Sequence, residues 1–244
     1  MKICLIIVNY NGIYFLPKYL DSIIQQCLKN DIKLIVTDDS STDNSILYLK
    51  KMDVEYVINK GLNRGFAANL NNGIKYAQSI DDFDFFLISN NDIEFSYDFF
   101  PNFKMILHYI NNNYKNYGLI GFNEINLNNK EYFNNYDFNN YRYNEIEICD
   151  EIPGFFFIIT KDLLKKVGYF DEEYFMYGED NDYFHRALKN HFIILNTNLP
   201  IMHYSEGSSS DSKKTSWYVY RNAFFICTKK FEFFQLFKTI PFFY

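Results

Sequence analysis

Short apolar runs alternate with segments of helical periodicity along the first half of the chain. Ile3–Val8 is a continuous apolar run of strand length, and Leu16, Leu20, Ile23, Ile24, Cys27 and Leu28 then recur at helical spacing. Pro17 falls in the first turn of that helix, where its missing N–H is tolerated. Ile32–Thr37 reads as a second strand, and Ser41 or Thr42 is placed to cap a helix over 43–51. Val54–Ile58 is a third strand. A helix follows from Phe66 to Gln78 with Phe66, Leu70, Ile74 and Ala77 on one face, and Phe85–Ser89 is a fourth strand. This alternation predicts an α/β fold with a mainly parallel central sheet, and right-handed crossovers put helices on both its faces.

The rhythm changes after residue 95. Ser96 stands as a cap before a helix carrying Phe99, Phe100, Phe103, Ile106, Leu107 and Ile110, and Tyr117–Phe122 reads as a strand. Residues 123–148, rich in Asn, Tyr and Glu without a clear period, are expected to form a loop or irregular hairpin. Phe155–Thr160 is a strand, 161–167 a short helix, and a further helix starts near Glu179. Strands are expected around Phe192–Leu195 and Ile201–Tyr204, and Ser205–Ser212 has the composition of a mobile loop. No linker divides the chain. One domain over 1–222 is expected, with functional halves 1–95 and 96–222, followed by an aromatic tail over 223–244.

Composition narrows the function. Hydrophobic residues make up 48 % and charged residues 22 % of 244, which excludes a disordered or fibrous chain. A net charge of −6 with no long basic run argues against nucleic acid as a partner. No stretch approaches the roughly 20 apolar residues of a membrane span, and Ile3–Val8 is too short for the apolar core of a secretory signal. Cys4, Cys27, Cys149 and Cys227 form no CxxC pair, as expected of incidental thiols in a reducing cytosol. From Ala223 on, aromatics mix with Lys229, Lys230 and Lys238. That composition fits an amphipathic segment on a membrane surface, packing on the domain, a partner contact, or a truncated product.

Ligands of open α/β sheets bind beyond the carboxyl ends of the strands. Strand one is followed by Asn9, Tyr10, Asn11 and Gly12, and strand two by Asp38, Asp39, Ser40, Ser41, Thr42 and Asp43. Strand three is followed by Asn59, Lys60, Gly61, Asn63, Arg64 and Gly65, and strand four by Asn90, Asn91 and Asp92. Together these turns outline a crevice for a polar ligand. No GxGxxG follows strand one and no GxxxxGK[ST] occurs anywhere, so neither a dinucleotide cradle nor a P-loop is present. A diphosphate is then most simply neutralised by a divalent cation on a carboxylate, for which Asp92 is the candidate anchor.

Taken in order, these stretches resemble a family 2 glycosyltransferase of the GT-A fold. Val36-Thr37-Asp38-Asp39-Ser40-Ser41-Thr42-Asp43 is similar to the family's VVDNxSTD, and Asn63-Arg64-Gly65-Phe66-Ala67-Ala68-Asn69 to its NxGFAxxxN. Asn90-Asn91-Asp92 stands where the family carries DxD, or NPD in its rhamnosyltransferase-like branch. Gly168-Tyr169-Phe170-Asp171-Glu172 matches GxFDE, and Tyr177-Gly178-Glu179-Asp180-Asn181-Asp182 matches YGEDxD. Trp217, Arg221 and Asn222 resemble a WxxxRN stretch, and the likeness spans residues 3 to 222.

The resemblance implies roles. Asp38 would accept a hydrogen bond from the donor's base, with the Asn9-Tyr10 backbone beside it. Asn11, Asp39, Ser41, Asn63, Gly65, Asn69, Asn91 and Arg221 would complete the nucleotide site, Arg221 near the phosphates. Asp92 would bind Mg²⁺ or Mn²⁺ on the diphosphate, with His203 completing the metal site. Asp180 would be the general base and Glu179 its support, both kept ionised by the positive end of the helix they begin. One base without a second nucleophile fits single displacement with inversion. Asn90 replaces the first acid of DxD and favours the NPD-like branch. The implied reaction moves a sugar from a UDP- or dTDP-sugar to a saccharide or lipid-linked acceptor, in cell-surface polysaccharide synthesis at the cytoplasmic membrane face. Two alternatives stay open: an inactive module that binds nucleotide-sugar or polysaccharide, and a sugar-nucleotide pyrophosphorylase, whose Gly-rich basic turn after strand one is missing here.

Overall fold

The computed structural model describes residues 1–59, 61–126, 144–204 and 212–230. Its sheet comprises β1 (Ile3–Asn9), β2 (Ile32–Asp38), β3 (Glu55–Ile58), β4 (Phe85–Asn90), β5 (Ile93–Glu94), β6 (Tyr117–Asn126), β7 (Ile146–Cys149), β8 (Phe156–Thr160) and β9 (Ile193–His203). The helices are α1 (Leu16–Asn30), α2 (Ser45–Leu49), α3 (Phe66–Ile80), α4 (Phe99–Asn113), α5 (Lys161–Val167), α6 (Glu179–Lys189) and α7 (Ser212–Lys230). Across the sheet the order is β3-β2-β1-β4-β8-β6-β9-β5, with β7 paired to β9. The first four strands pair in parallel, as the alternating pattern predicts. The second half is mixed: β8 runs antiparallel to both β4 and β6, and β5 and β7 run antiparallel to β9, so among the described residues the sheet is as much antiparallel as parallel and not mainly parallel as expected.

β1 is apolar throughout because both of its faces are covered. Leu5 and Ile7 join a core with Leu16, Leu20 and Ile23 of α1 and Phe99, Phe103 and Ile106 of α4. Cys4, Ile6 and Val8 join a second core with Leu70 and Ile74 of α3 and Phe184 and Ala187 of α6. Phe95, Phe99, Phe100, Phe103, Phe122 and Phe156 form one set of ring contacts between α4 and the sheet. Aromatic pairs of this kind add about 0.5–1.5 kcal/mol beyond their area burial.

Several sequence expectations change. The segment at 123–148 is not all loop: β6 continues to Asn126 and β7 covers Ile146–Cys149, while 127–143 lies outside the described residues. The strands expected at 192–195 and 201–204 are one strand, β9, in parallel register with β6. Polar Asn196, Thr197 and Asn198 disguised its middle, yet Thr197 is buried and its Oγ1 donates to the Gly121 carbonyl at 3.1 Å. Ser41, Thr42 and Ser96 cap nothing. α2 and α4 begin after Asn44 and Asp98 without a side-chain cap, because Ser41 and Thr42 are bonded to Asp38 and Asn11. The loop expected at 205–212 lies outside the described residues except for Ser212, which opens α7. The position expected to start the tail falls inside α7, and 231–244 lies outside the described residues.

Candidate active site

The carboxyl ends of β1, β2 and β4 open into a cleft of about 1070 Å³, closed on its far side by residues 175–181 and by α7. Of the residues singled out in the sequence, Asn9, Tyr10, Asn11, Asp39, Asn63, Gly65, Asn69, Asn91, Asp92, Glu179, Asp180 and His203 line this cleft. Asp38, Ser41 and Arg221 do not.

Asn9 is the hub of the floor. It is fully buried, its Nδ2 donates to Asp38 Oδ2 at 2.6 Å, and its Oδ1 accepts from Asn91 Nδ2 at 2.6 Å. Asp38 also accepts from the Ser41 amide at 2.8 Å and the Ser41 hydroxyl at 2.7 Å. Asp38 is fully buried with both oxygens engaged, and it is not among the residues that line the cleft. Hydrogen bonds thus run from Asp38 through Asn9 to Asn91 of the Asn90–Asp92 turn. Asp39, the neighbour of Asp38, does line the cleft; its Oδ2 accepts the Arg64 and Gly65 amides, each at 2.8 Å, and its Oδ1 accepts from Asn59 Nδ2 at 2.9 Å. Asn69 ties this floor to α3, donating to the Asn9 carbonyl at 3.1 Å and accepting from Thr37 Oγ1 at 2.7 Å. Lys60 of the same turn lies outside the described residues.

Asp92 and His203 meet because β5, only two residues long, pairs with β9 and sets Ile93 opposite His203. Asp92 Oδ1 is buried and faces His203 Nε2 in a long 3.4 Å ion-pair contact, too loose for a well-formed hydrogen bond. On its other side His203 Nδ1 is 2.6 Å from Glu124 Oε1, and the ring stacks on Phe155 at 4.7 Å. Burial pulls the His203 pKa down, but the two carboxylates outweigh it and the net shift is upward. An underbonded carboxylate oxygen facing an imidazole nitrogen suits a divalent cation. Among the described residues no three such side chains form a complete metal cluster, so a cation there would draw its other ligands from phosphate and water.

Glu179 and Asp180 open α6 after Gly178, which takes the left-handed N-cap position at φ 92°. The expectation that the helix end keeps both ionised fails for Glu179. Burial, then the Asp180 charge, raise its pKa to about 8, so it is protonated at neutral pH. Its Oε2 is buried without a partner. Asp180 is also shifted upward by burial, although the Asn181 amide donates to its Oδ1 at 2.8 Å. Desolvation outweighs the partial charge of a helix end, which is worth only about 0.3–1 kcal/mol at exposed sites.

The sequence model of Glycosyl transferase family 2 matches residues 4–177, well over half of the chain. The chain belongs to this family. Its fold is the GT-A fold, shared with several solved structures of low sequence identity. The chain is similar to S. aureus TarS, with 17 % identity and a TM-score of 0.61 over 84 % of this chain and 37 % of that one. It is similar to the mannosyltransferase PcManGT from Pyrobaculum calidifontis, solved with GDP-Man and Mn²⁺, with 13 % identity and a TM-score of 0.64 over 87 % of this chain and 59 % of that one. It is also similar to GalNAc-T7, solved with UDP, GalNAc and Mn²⁺, with 13 % identity and a TM-score of 0.65 over 93 % of this chain and 48 % of that one. The chain thus spans less than two thirds of the length of each. A search of curated proteins gives no match.

Three site features leave little signal in the sequence. Glu124 lies beyond Phe122, where the apolar run that marks the strand in the sequence stops although β6 continues to Asn126. Gly154 carries no side chain to notice. Asn222 stands out in the sequence only within a WxxxRN stretch, yet it lines the cleft and Arg221 does not. The Arg221 guanidinium lies over the rings of Trp217, Tyr218 and Phe225 at 5.1–5.3 Å, and its Nη2 donates to the Glu173 carbonyl at 3.0 Å.

Proposed function

We propose that this family 2 protein is an inverting glycosyltransferase, moving a sugar from a UDP- or dTDP-sugar to a hydroxyl of a saccharide or lipid-linked acceptor. The observation that carries the reading is one cleft lined both by Asp92 with His203 and by the Glu179-Asp180 turn. Neighbours solved with a nucleotide or nucleotide-sugar and Mn²⁺ support the donor class.

In this reading Asp180 takes the proton of the acceptor hydroxyl as its oxygen attacks the anomeric carbon. The carbon–oxygen bond to the diphosphate breaks on the opposite face, and the electron pair leaves on the phosphate oxygen. Glu179, neutral at pH 7, adds no charge against the diphosphate and can donate a hydrogen bond. Asp92 and His203 would hold Mg²⁺ or Mn²⁺, and the chemistry such a cation supplies is neutralisation of the leaving diphosphate. Asn90 in place of an acid favours the NPD-like branch.

Among the described residues no helix is long and apolar enough to cross a membrane. Trp217, Tyr220 and Phe224 of α7 are nonetheless half exposed at i, i+3 and i+7. That stripe supports a peripheral contact of the C-terminal segment with the cytoplasmic membrane face, in keeping with a role in cell-surface polysaccharide synthesis. Co-sedimentation with anionic vesicles checks it, and loss of binding on Trp217→Ala with Phe224→Ala is expected.

The test of the reaction is a thermal-shift panel of UDP-, dTDP- and GDP-sugars with and without Mn²⁺, followed by nucleoside-diphosphate release. Asp180→Asn should keep the ligand shift and lower turnover by about 10²–10⁴-fold. Full activity in that variant would overturn the assignment of the base. Ligand binding without turnover in the wild type would favour the inactive-module reading.

A further inference from the structure

We propose that Asn222, supported by Arg221, is a positioning residue that sets the Glu179-Asp180 turn in the cleft; this rests on the reading of Asp180 as the base. The turn is preceded by residues 175–178, which make no regular structure of their own. Tyr177 adopts φ 67°, a left-handed conformation that a bulky side chain holds only when its surroundings enforce it.

Asn222 supplies that enforcement. It is 1 % exposed, and its Nδ2 donates to the Met176 carbonyl at 2.7 Å and to the Tyr177 carbonyl at 2.5 Å. Both amide hydrogens are therefore spent on the two peptide planes that flank the left-handed residue. The Asn222 Oδ1 accepts from Arg221 Nε at 2.8 Å, which fixes the amide's orientation. Arg221 is itself anchored to the Glu173 carbonyl and by the rings beneath its guanidinium. From the opposite side the Phe175 carbonyl accepts the Phe66 amide at 2.8 Å, at the start of α3. The segment before Gly178 is thus held between the nucleotide-side helix and α7. Phe175 and Tyr218 stack at 5.0 Å, and Lys229 is paired with Asp171 and Glu173, so α7 straps the whole of 171–178. A carboxylate base works only within a narrow range of position, and displacement by about 1 Å can cost roughly 10²-fold in rate.

Asn222→Asp keeps the shape and replaces the donor with an acceptor facing two carbonyls, Asn222→Ala removes the group, and Asn222→Gln restores the donor one methylene further out. Amide hydrogen exchange of residues 176–181 is measured alongside kcat and KM for the panel sugar nucleotide that the wild type turns over. Asn222→Asp should exchange faster at 176–181 and lose about 10²-fold in kcat, with donor KM within about twofold. Asn222→Gln should recover part of the loss, and Arg221→Ala should follow Asn222→Ala more weakly.

Unchanged exchange or unchanged kcat in folded Asn222→Asp would overturn the proposal. So would an Arg221→Ala variant whose donor KM rises about tenfold at constant kcat, the signature of a phosphate ligand. If the wild type turns over no sugar nucleotide, the transferase reading fails separately. Exchange then decides alone: protection lost at 176–181 upholds the positioning role, and protection retained refutes it.

Discussion

Gly154 and Asp180 meet where no side chain fits between them: a Cβ on Gly154 would stand 2.2 Å from Asp180 Oδ2. The loop before β8 thus forms one wall of the carboxylate's position. The obstructed atom is the end of a side chain that can swing away, so Gly154→Ala should fold with little loss of stability. It should instead move the carboxylate. A fall in kcat of roughly 10–10²-fold at unchanged nucleotide affinity is expected from steady-state kinetics and titration with the nucleoside diphosphate. An unaltered kcat would show that Asp180 has no need of this wall.

Glu179 makes the stability of the protein depend on pH. Its pKa is near 4.5 in an unfolded chain and about 8 in the folded one. Between those values the folded state holds a proton that the unfolded chain has released. The stability from this site is complete below about pH 4.5 and is lost as pH rises through about 8. Glu179→Gln removes the titration. Melting curves from pH 5 to 9 should show the wild type falling behind Glu179→Gln by at least about 1 kcal/mol, or roughly 2–4 °C in Tm. Parallel curves would rule this out.

The Asp92–His203 pair should bind Mn²⁺ in the presence of a nucleoside diphosphate. Asp92→Asn should abolish that binding. Glu124→Gln, which loosens His203 without touching Asp92, should weaken it by about 10–100-fold. Electron paramagnetic resonance of free Mn²⁺ reads both without an activity assay. Turnover that survives chelation at full rate would sink the metal assignment.

Gly65 is held by its backbone. It sits at φ 92°, and a Cβ there would lie 2.0 Å from the Phe175 carbonyl oxygen, a main-chain atom that cannot step aside. Gly65→Ala should cost about 2–4 kcal/mol, combining backbone strain with a broken contact between α3 and the 175–178 segment. Denaturant unfolding measures it, and a loss below about 0.5 kcal/mol would mean the two segments separate freely.

What could be read from the sequence follows from local rules. Ile3–Val8 and the apolar stretches within Ile32–Thr37 and Phe85–Ser89 are of strand length and alternate with helical patterns, which suits strands buried inside a covered sheet. The polar turns after them had to open at one sheet edge because parallel strands share a direction. The ordered motifs carry the resemblance to the family, and the family's sequence model matches residues 4–177, ending at the first residue of the YGEDxD stretch.

Tertiary structure decided everything that depends on partners distant in sequence. A carboxylate at a strand end looks the same whether it faces a ligand or a buried amide. Asp38 and Asp39 are neighbours in the chain, yet Asn9 and Ser41 consume the first while the second lines the cleft. The same holds for Arg221 and Asn222, where the charged residue lies on aromatic rings and the neutral one reaches the cleft. Glu124 reaches His203 through the long β6–β9 pairing, and Asp92 reaches it through the short β5. Burial, which exists only once the chain has folded, favours the neutral form of Glu179 over the expected carboxylate, because desolvation outweighs the helix end.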